Sequence, residues 1–86
     1  MKRDFITFRS ITPAQQAQHI LRRGGIETIL QRTPRCMEQR GCGYCLRLRP
    51  EDREQAVLLL QRSGVRFQKL YTEENGIAEE ASYDLS

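Results

Sequence analysis

Two stretches of this chain follow the same course, and that echo constrains the fold more than any single residue. "AQQAQHILRRGGIETIL" passes from a helical pattern through glycine into strand-like residues, and "EQAVLLLQRSGVRFQKL" does so again. In the first, Ala14, Ala17, Ile20 and Leu21 recur at helical spacing, and Arg22 and Arg23 suit the negative end of a helix dipole. Thr12 reads as its cap, Pro13 as its first residue, and Gly24 with Gly25 as its stop. In the second, Pro50, Glu51 and Asp52 open a helix with acids in its first turn, Ala56, Val57 and Leu60 give the stripe, and Gly64 ends it.

Strand-like runs flank both helices. Residues 4–9 place Ile6 and Phe8 on one face, and 44–49 place Leu46 and Leu48 on one face with Cys45, Arg47 and Arg49 on the other. Residues 26–31 and 65–71 supply two more strands. The order β-α-β-β-α-β predicts an α+β, ferredoxin-like sandwich: a four-stranded antiparallel sheet with both helices on one face. The expected core is Ile6, Phe8, Ala17, Leu21, Leu30, Leu46, Leu48, Val57 and Leu60. The other face is expected to be bare, carrying Phe5, Thr7 and Arg9 beside Arg47 and Arg49.

At 86 residues the chain allows one small domain. We place that domain at residues 1–71, because charge changes there. Up to Tyr71, 14 Lys and Arg face 6 Asp and Glu; from Thr72 onward there are 5 acids and no basic residue. Residues 72–86 are therefore expected to form an acidic, flexible tail. No apolar run is long enough for a membrane span, and the opening residues show no signal-peptide core, so the expected location is cytoplasmic. Cysteines there are kept mostly reduced.

The chemistry is concentrated in "RCMEQRGCGYCLRLRP", where all three cysteines lie within ten positions. Three readings stand. Cys36, Cys42 and Cys45 have a spacing suggestive of metal binding, but a closed zinc site wants four ligands, and the single histidine, His19, falls on the first helix. Cys42 and Cys45 have dithiol redox spacing, but the residues that follow alternate as a strand, so the helix dipole that activates such a thiol is missing. The third reading is one nucleophilic thiol, Cys42, set between Gly41 and Gly43, with Arg35, Arg40 and Arg47 near in sequence to favour the thiolate. Cys45, held by a strand, would be the slower accessory thiol. A different class also stands: a basic sheet face for a nucleic acid or a protein partner, although the aromatic motif of RNA-binding sheets is absent.

"ITFRSITPAQQAQHILRRGGI", the Thr-Pro after the second strand, "CGYCLRLRPED" and "GVRFQKLY" resemble the small bacterial selenium/sulfur carrier-like family, over about residues 4–71. In that family a Cys-Gly pair stands where Cys42 and Gly43 stand here. The resemblance implies that Cys42 is the carrier position and Gly43 its turn partner. It also implies a donor, such as a cysteine desulfurase, and an acceptor enzyme. The expected protein is a carrier or accessory protein that completes no reaction by itself and uses no cofactor. Homodimer formation is left open. Cys36 and Cys45 are additions to the family pattern.

Overall fold

Ile6, Phe8, Leu46 and Leu48 are buried on one side of a sheet, as their alternation predicts. The computed structural model describes residues 2–34 and 43–80. Its elements are β1 (Lys2–Phe8), α1 (Ile11–Arg23), β2 (Ile29–Arg32), β3 (Tyr44–Leu48), a 3₁₀ turn at Pro50–Asp52, α2 (Arg53–Arg62), β4 (Leu70–Glu74) and β5 (Ile77–Glu80). The strands form one open sheet in the order β2-β3-β1-β4-β5, with every neighbouring pair antiparallel. Ala14, Ala17 and Leu21 of α1 and Ala56, Val57 and Leu60 of α2 join the strand residues in one core. Leu30 packs against that core but is only half-buried, because β2 is an edge strand.

Both helices end the same way. The Gly25 N–H donates to the Arg22 carbonyl and the Ile26 N–H to that of Leu21; Gly64 and Val65 repeat this with Gln61 and Leu60. That motif takes Ile26 and Val65 out of the strands expected to begin there, and the strands start at Ile29 and Leu70. The backbones of Ile26 and Val65 are spent closing helices. At its other end α1 begins at Ile11, with Ser10 in the cap position, rather than at Pro13. Proline at the third position costs no hydrogen bond, since the first four helical N–H groups have no partner within the helix.

The expectation of four strands is corrected to five. Residues 72–80 are not a tail: β4 runs to Glu74, Asn75 and Gly76 turn at φ 54° and 83°, and β5 returns along β4. Two central residues with positive φ are what a type I′ hairpin turn demands, and Asn-Gly is its preferred sequence. The acids tolerate this register because Glu73 and Glu74 face Ala78 and Ile77, while Glu79 and Glu80 face Thr72 and Tyr71. Lys2 lies opposite Glu74 with 4.0 Å between charged atoms, Arg3 lies opposite Glu73, and Lys69 Nζ is 3.4 Å from Glu80. Residues 81–86 lie outside the described residues.

The sheet face away from the helices also differs from expectation. Phe5, Cys45 and Tyr71 form a second buried cluster against which Ala78 packs, and Thr7 beside them is 5% exposed. Thr7 sits at a bulge: its N–H donates to the Lys69 carbonyl while its own carbonyl accepts from Gln68. Phe5 therefore offers no open ring on which a base could stack.

One polar cluster lies inside the helix-side layers. Thr72 donates from its hydroxyl to Asp4 Oδ1 (3.0 Å) and accepts from Arg53 Nη1 (3.1 Å), and Arg53 Nε lies 3.4 Å from Asp4 Oδ2. The Asp4 side chain is 2% exposed, and its Oδ2 has this ion pair but no hydrogen bond. A carboxylate so placed needs its cation. The triad thus ties β1, β4 and α2 together.

Candidate functional site

β1 ends at Phe8, β2 at Arg32, and β3 begins at Tyr44, so three strand ends meet at one end of the sheet. The chain leaves this end at Thr33 and re-enters it at Gly43. Gly43 is the return point, and the structure fixes its identity. Its φ is 143°, and a Cβ there would stand 3.0 Å from the Phe8 carbonyl oxygen and 3.6 Å from Thr33 Oγ1. The backbone oxygen cannot yield as a side chain could, so any larger residue would carry both a strained φ and a close contact. The Thr33 N–H donates to the Gly43 carbonyl (3.2 Å), clamping the two ends of the loop together.

The surroundings of this mouth are polar and lean positive. Thr33 is 8% exposed, and its hydroxyl has no hydrogen-bond partner among the described residues. Arg32 stacks its guanidinium over the Tyr44 ring at 5.7 Å. Ser10 follows Phe8 by two residues and makes no side-chain bond to the helix it caps; no acid occupies the first turn of α1. The positive end of α1, which begins three residues after β1 ends, and Arg32, which ends β2, thus both belong to this end of the sheet.

Cys42 precedes Gly43 directly, but Cys42, Cys36, Arg35 and Arg40 lie outside the described residues, and so does the expected exposure of the Cys42 loop. Cys45 is described, and it is wholly buried on β3 between Thr7 and Gln31, with its Sγ directed at the Arg32 carbonyl at 3.9 Å. It is a core thiol, not an exposed one. Arg47 is not brought to the mouth either. It pairs with Phe5 and Ile29, four residues along β3 from Gly43, which is about 13 Å at ordinary strand rise. Among the described residues no three of His, Cys, Asp and Glu converge as a metal cradle, and His19 is exposed on α1.

Sequence reasoning missed two functional or architectural features. Thr33 enters the sequence reading only as part of the Thr-Pro pair after the second strand, with no role of its own. The Asp4, Arg53 and Thr72 triad left no local signal, because its members are far apart in the chain and only strand order unites them.

No helix among the described residues is long and apolar enough to cross a membrane. No curated protein and no solved structure matches the chain. A family model does, over residues 4–72, from β1 through most of β4 and including the mouth around Gly43. The chain therefore belongs to the family described as "Putative Se/S carrier protein-like".

Proposed function

We propose that this protein carries sulfane sulfur or selenium on Cys42 and delivers it to an acceptor enzyme, in the cytoplasm. The observation that carries the reading is Gly43. Gly43, the residue after Cys42, is held at φ 143° at the sheet end, where a Cβ would stand 3.0 Å from the Phe8 carbonyl oxygen, and the family match spans this position. On this reading the first four strands and two helices are a ferredoxin-like body, and β5 is an addition to it.

The chemistry is transfer between sulfurs. The Cys42 thiolate attacks the terminal sulfur of a donor persulfide, such as one on a cysteine desulfurase. The donor's S–S bond breaks, its thiolate leaves with the electron pair, and Cys42 holds the persulfide. An acceptor thiolate then takes the terminal atom by the same displacement, and Cys42 returns to the thiolate. The neutral chalcogen atom moves with no net oxidation, so the cycle requires no external oxidant or reductant. A selenium donor follows the same path with selenium as the terminal atom. The positive end of α1 and Arg32 would stabilise the anionic forms of the loaded and unloaded loop base. Cys45, being in the core, takes no direct part.

Intact-mass spectrometry of the protein after incubation with a cysteine desulfurase and cysteine tests this reading. A gain of one sulfur atom, lost on reduction and absent in Cys42→Ser, is expected. Equal gain in Cys42→Ser would remove the assignment.

A further inference from the structure

At the end of the sheet opposite Gly43 lies a cleft of about 680 Å³ whose wall includes Lys2, Arg3, Glu27, Arg47 and Arg49. Four cations face one carboxylate, but they are not equivalent. Arg49 is held by Asp52 Oδ2 at 3.1 Å and lies 3.9 Å from Glu51; these contacts, the Asp52 hydrogen bond first, hold its pKa above the ordinary value, with a smaller contribution from Glu27. Lys2 is near Glu74. Arg3 and Arg47 make no ion pair within 4.0 Å among the described residues, although Arg3 is exposed and lies opposite Glu73 in the register. Both belong to the sheet face away from the helices, Arg3 two residues before Phe5 on β1 and Arg47 directly beside Phe5 on β3. Arg47 is half-buried and lies opposite Phe5 in the register.

A guanidinium partly withdrawn from water and lacking a carboxylate has surrendered hydration without replacement. Its planar fork matches an oxyanion bidentately, and a second guanidinium on the adjacent strand supplies a second fork. The cleft sets four cationic side chains against one carboxylate and is open to solvent, so a small anion can reach it. We infer that it is an oxyanion site that takes a phosphate group, as the free ion or as a monoester, between Arg3 and Arg47. Glu27, the one carboxylate in the wall, opposes negative charge that enters. The site uses no cysteine and stands independently of the carrier reading.

Titration of the ¹⁵N-labelled full chain at low ionic strength, followed by amide shifts, tests this. Inorganic phosphate and adenosine monophosphate should give saturable shifts concentrated at Arg3, Ile29 and Arg47, and acetate should give none. Tighter binding of the nucleotide would assign the site to a monoester, and tighter binding of phosphate to the free ion. Arg47→Gln should weaken phosphate binding about tenfold, as loss of a charge-assisted fork does. Arg47→Lys, which keeps charge and stem, should weaken it less and covers the case in which the glutamine variant fails to fold. Arg9→Gln, at the other end, and Cys42→Ser should bind as wild type. Absence of saturation, equal response to acetate, unchanged binding in both Arg47 variants, or saturation by a single-stranded oligonucleotide alone would overturn the proposal.

Discussion

The sheet contains two antiparallel strand connections of opposite kind. Between β4 and β5 the chain turns through Asn75 and Gly76 alone; between β2 and β3 it spends residues 33–43. Both join adjacent strands, so topology demands neither length. Two residues suffice to reverse a strand, and a connection several times longer than required is where a fold holds residues for something other than folding. The long loop contains two of the three cysteines, and its ends are clamped by the Thr33 to Gly43 hydrogen bond. The short turn carries no nucleophile and lies beyond the family match, which ends at Thr72. One connection does no more than reverse the chain; the other contains, in sequence, the thiol proposed as the carrier.

The most severe break in that contrast is removal of the loop thiol. Cys42→Ser should abolish persulfide loading, while Cys36→Ser should keep most of it. Sequence reading alone gives Cys45→Ser an intermediate loss. Burial of Cys45 changes that: the variant should load nearly as wild type and should instead lose about 1–2 kcal/mol of stability, the cost of a poorly satisfied buried hydroxyl. Mass spectrometry and urea denaturation together separate the two effects. Equal loss of loading in all three variants, with a stoichiometric metal in the wild type, would return the cysteines to a shared metal site.

The structural hairpin has its own anchor. Thr72 of β4 is joined to Asp4 and Arg53, and Arg53→Met would leave the Asp4 carboxylate buried with only Thr72. The expected loss is about 3 kcal/mol, toward the lower end for a broken buried pair because Arg53 is partly open to water. Asp4→Asn in the Arg53→Met background should recover much of it. Loading on Cys42 should survive both changes. A variant that kept full stability would show that the triad is not the tie.

Gly43→Ala probes the long connection at its clamp. The strained φ and the 3.0 Å approach to the Phe8 carbonyl should together cost about 2 kcal/mol. Unlike the triad variant it should also slow sulfur loading, because the residue next to Cys42 must shift. Denaturation midpoints and loading time courses on the same samples provide the check. Unimpaired loading at reduced stability would make Gly43 a purely structural glycine.

Much of the fold was legible because its signals are local. Alternation of Ile6 with Phe8 and Leu46 with Leu48, and the helical stripes ended by Gly25 and Gly64, read directly as the core and the helix stops. What was missed depended on weighing one signal over another. Glu73, Glu74, Glu79 and Glu80 drew the reading toward a tail by composition, although Asn75-Gly76 is a strong hairpin signal; the register that keeps those acids apart becomes visible only once the strands pair. Alternation alone puts Phe5 and Thr7 on the face away from the helices, but it does not say what lies against them. At the site, the Cys-Gly pair could be read in the chain, but the reason for its glycine could not. It lies in a carbonyl from β1, distant in sequence.

The smallest expected effect belongs to the other turn. Gly76 has φ 83°, and no atom lies within 4 Å of where its Cβ would stand. Gly76→Ala therefore meets no clash, only the left-handed conformation itself, which costs a non-glycine residue about 1 kcal/mol. That is about half the expectation for Gly43→Ala, which adds the Phe8 contact to a φ of 143° that alanine tolerates less well. Loading should be unchanged, since β5 lies on the far side of β4 from the loop mouth. Amide exchange at residues 77–80 should quicken before the rest of the sheet, because a weakened turn frees an edge strand first. Should Gly76→Ala slow loading as much as Gly43→Ala does, the two connections would be coupled, and the division between a structural turn and a chemical loop would fail.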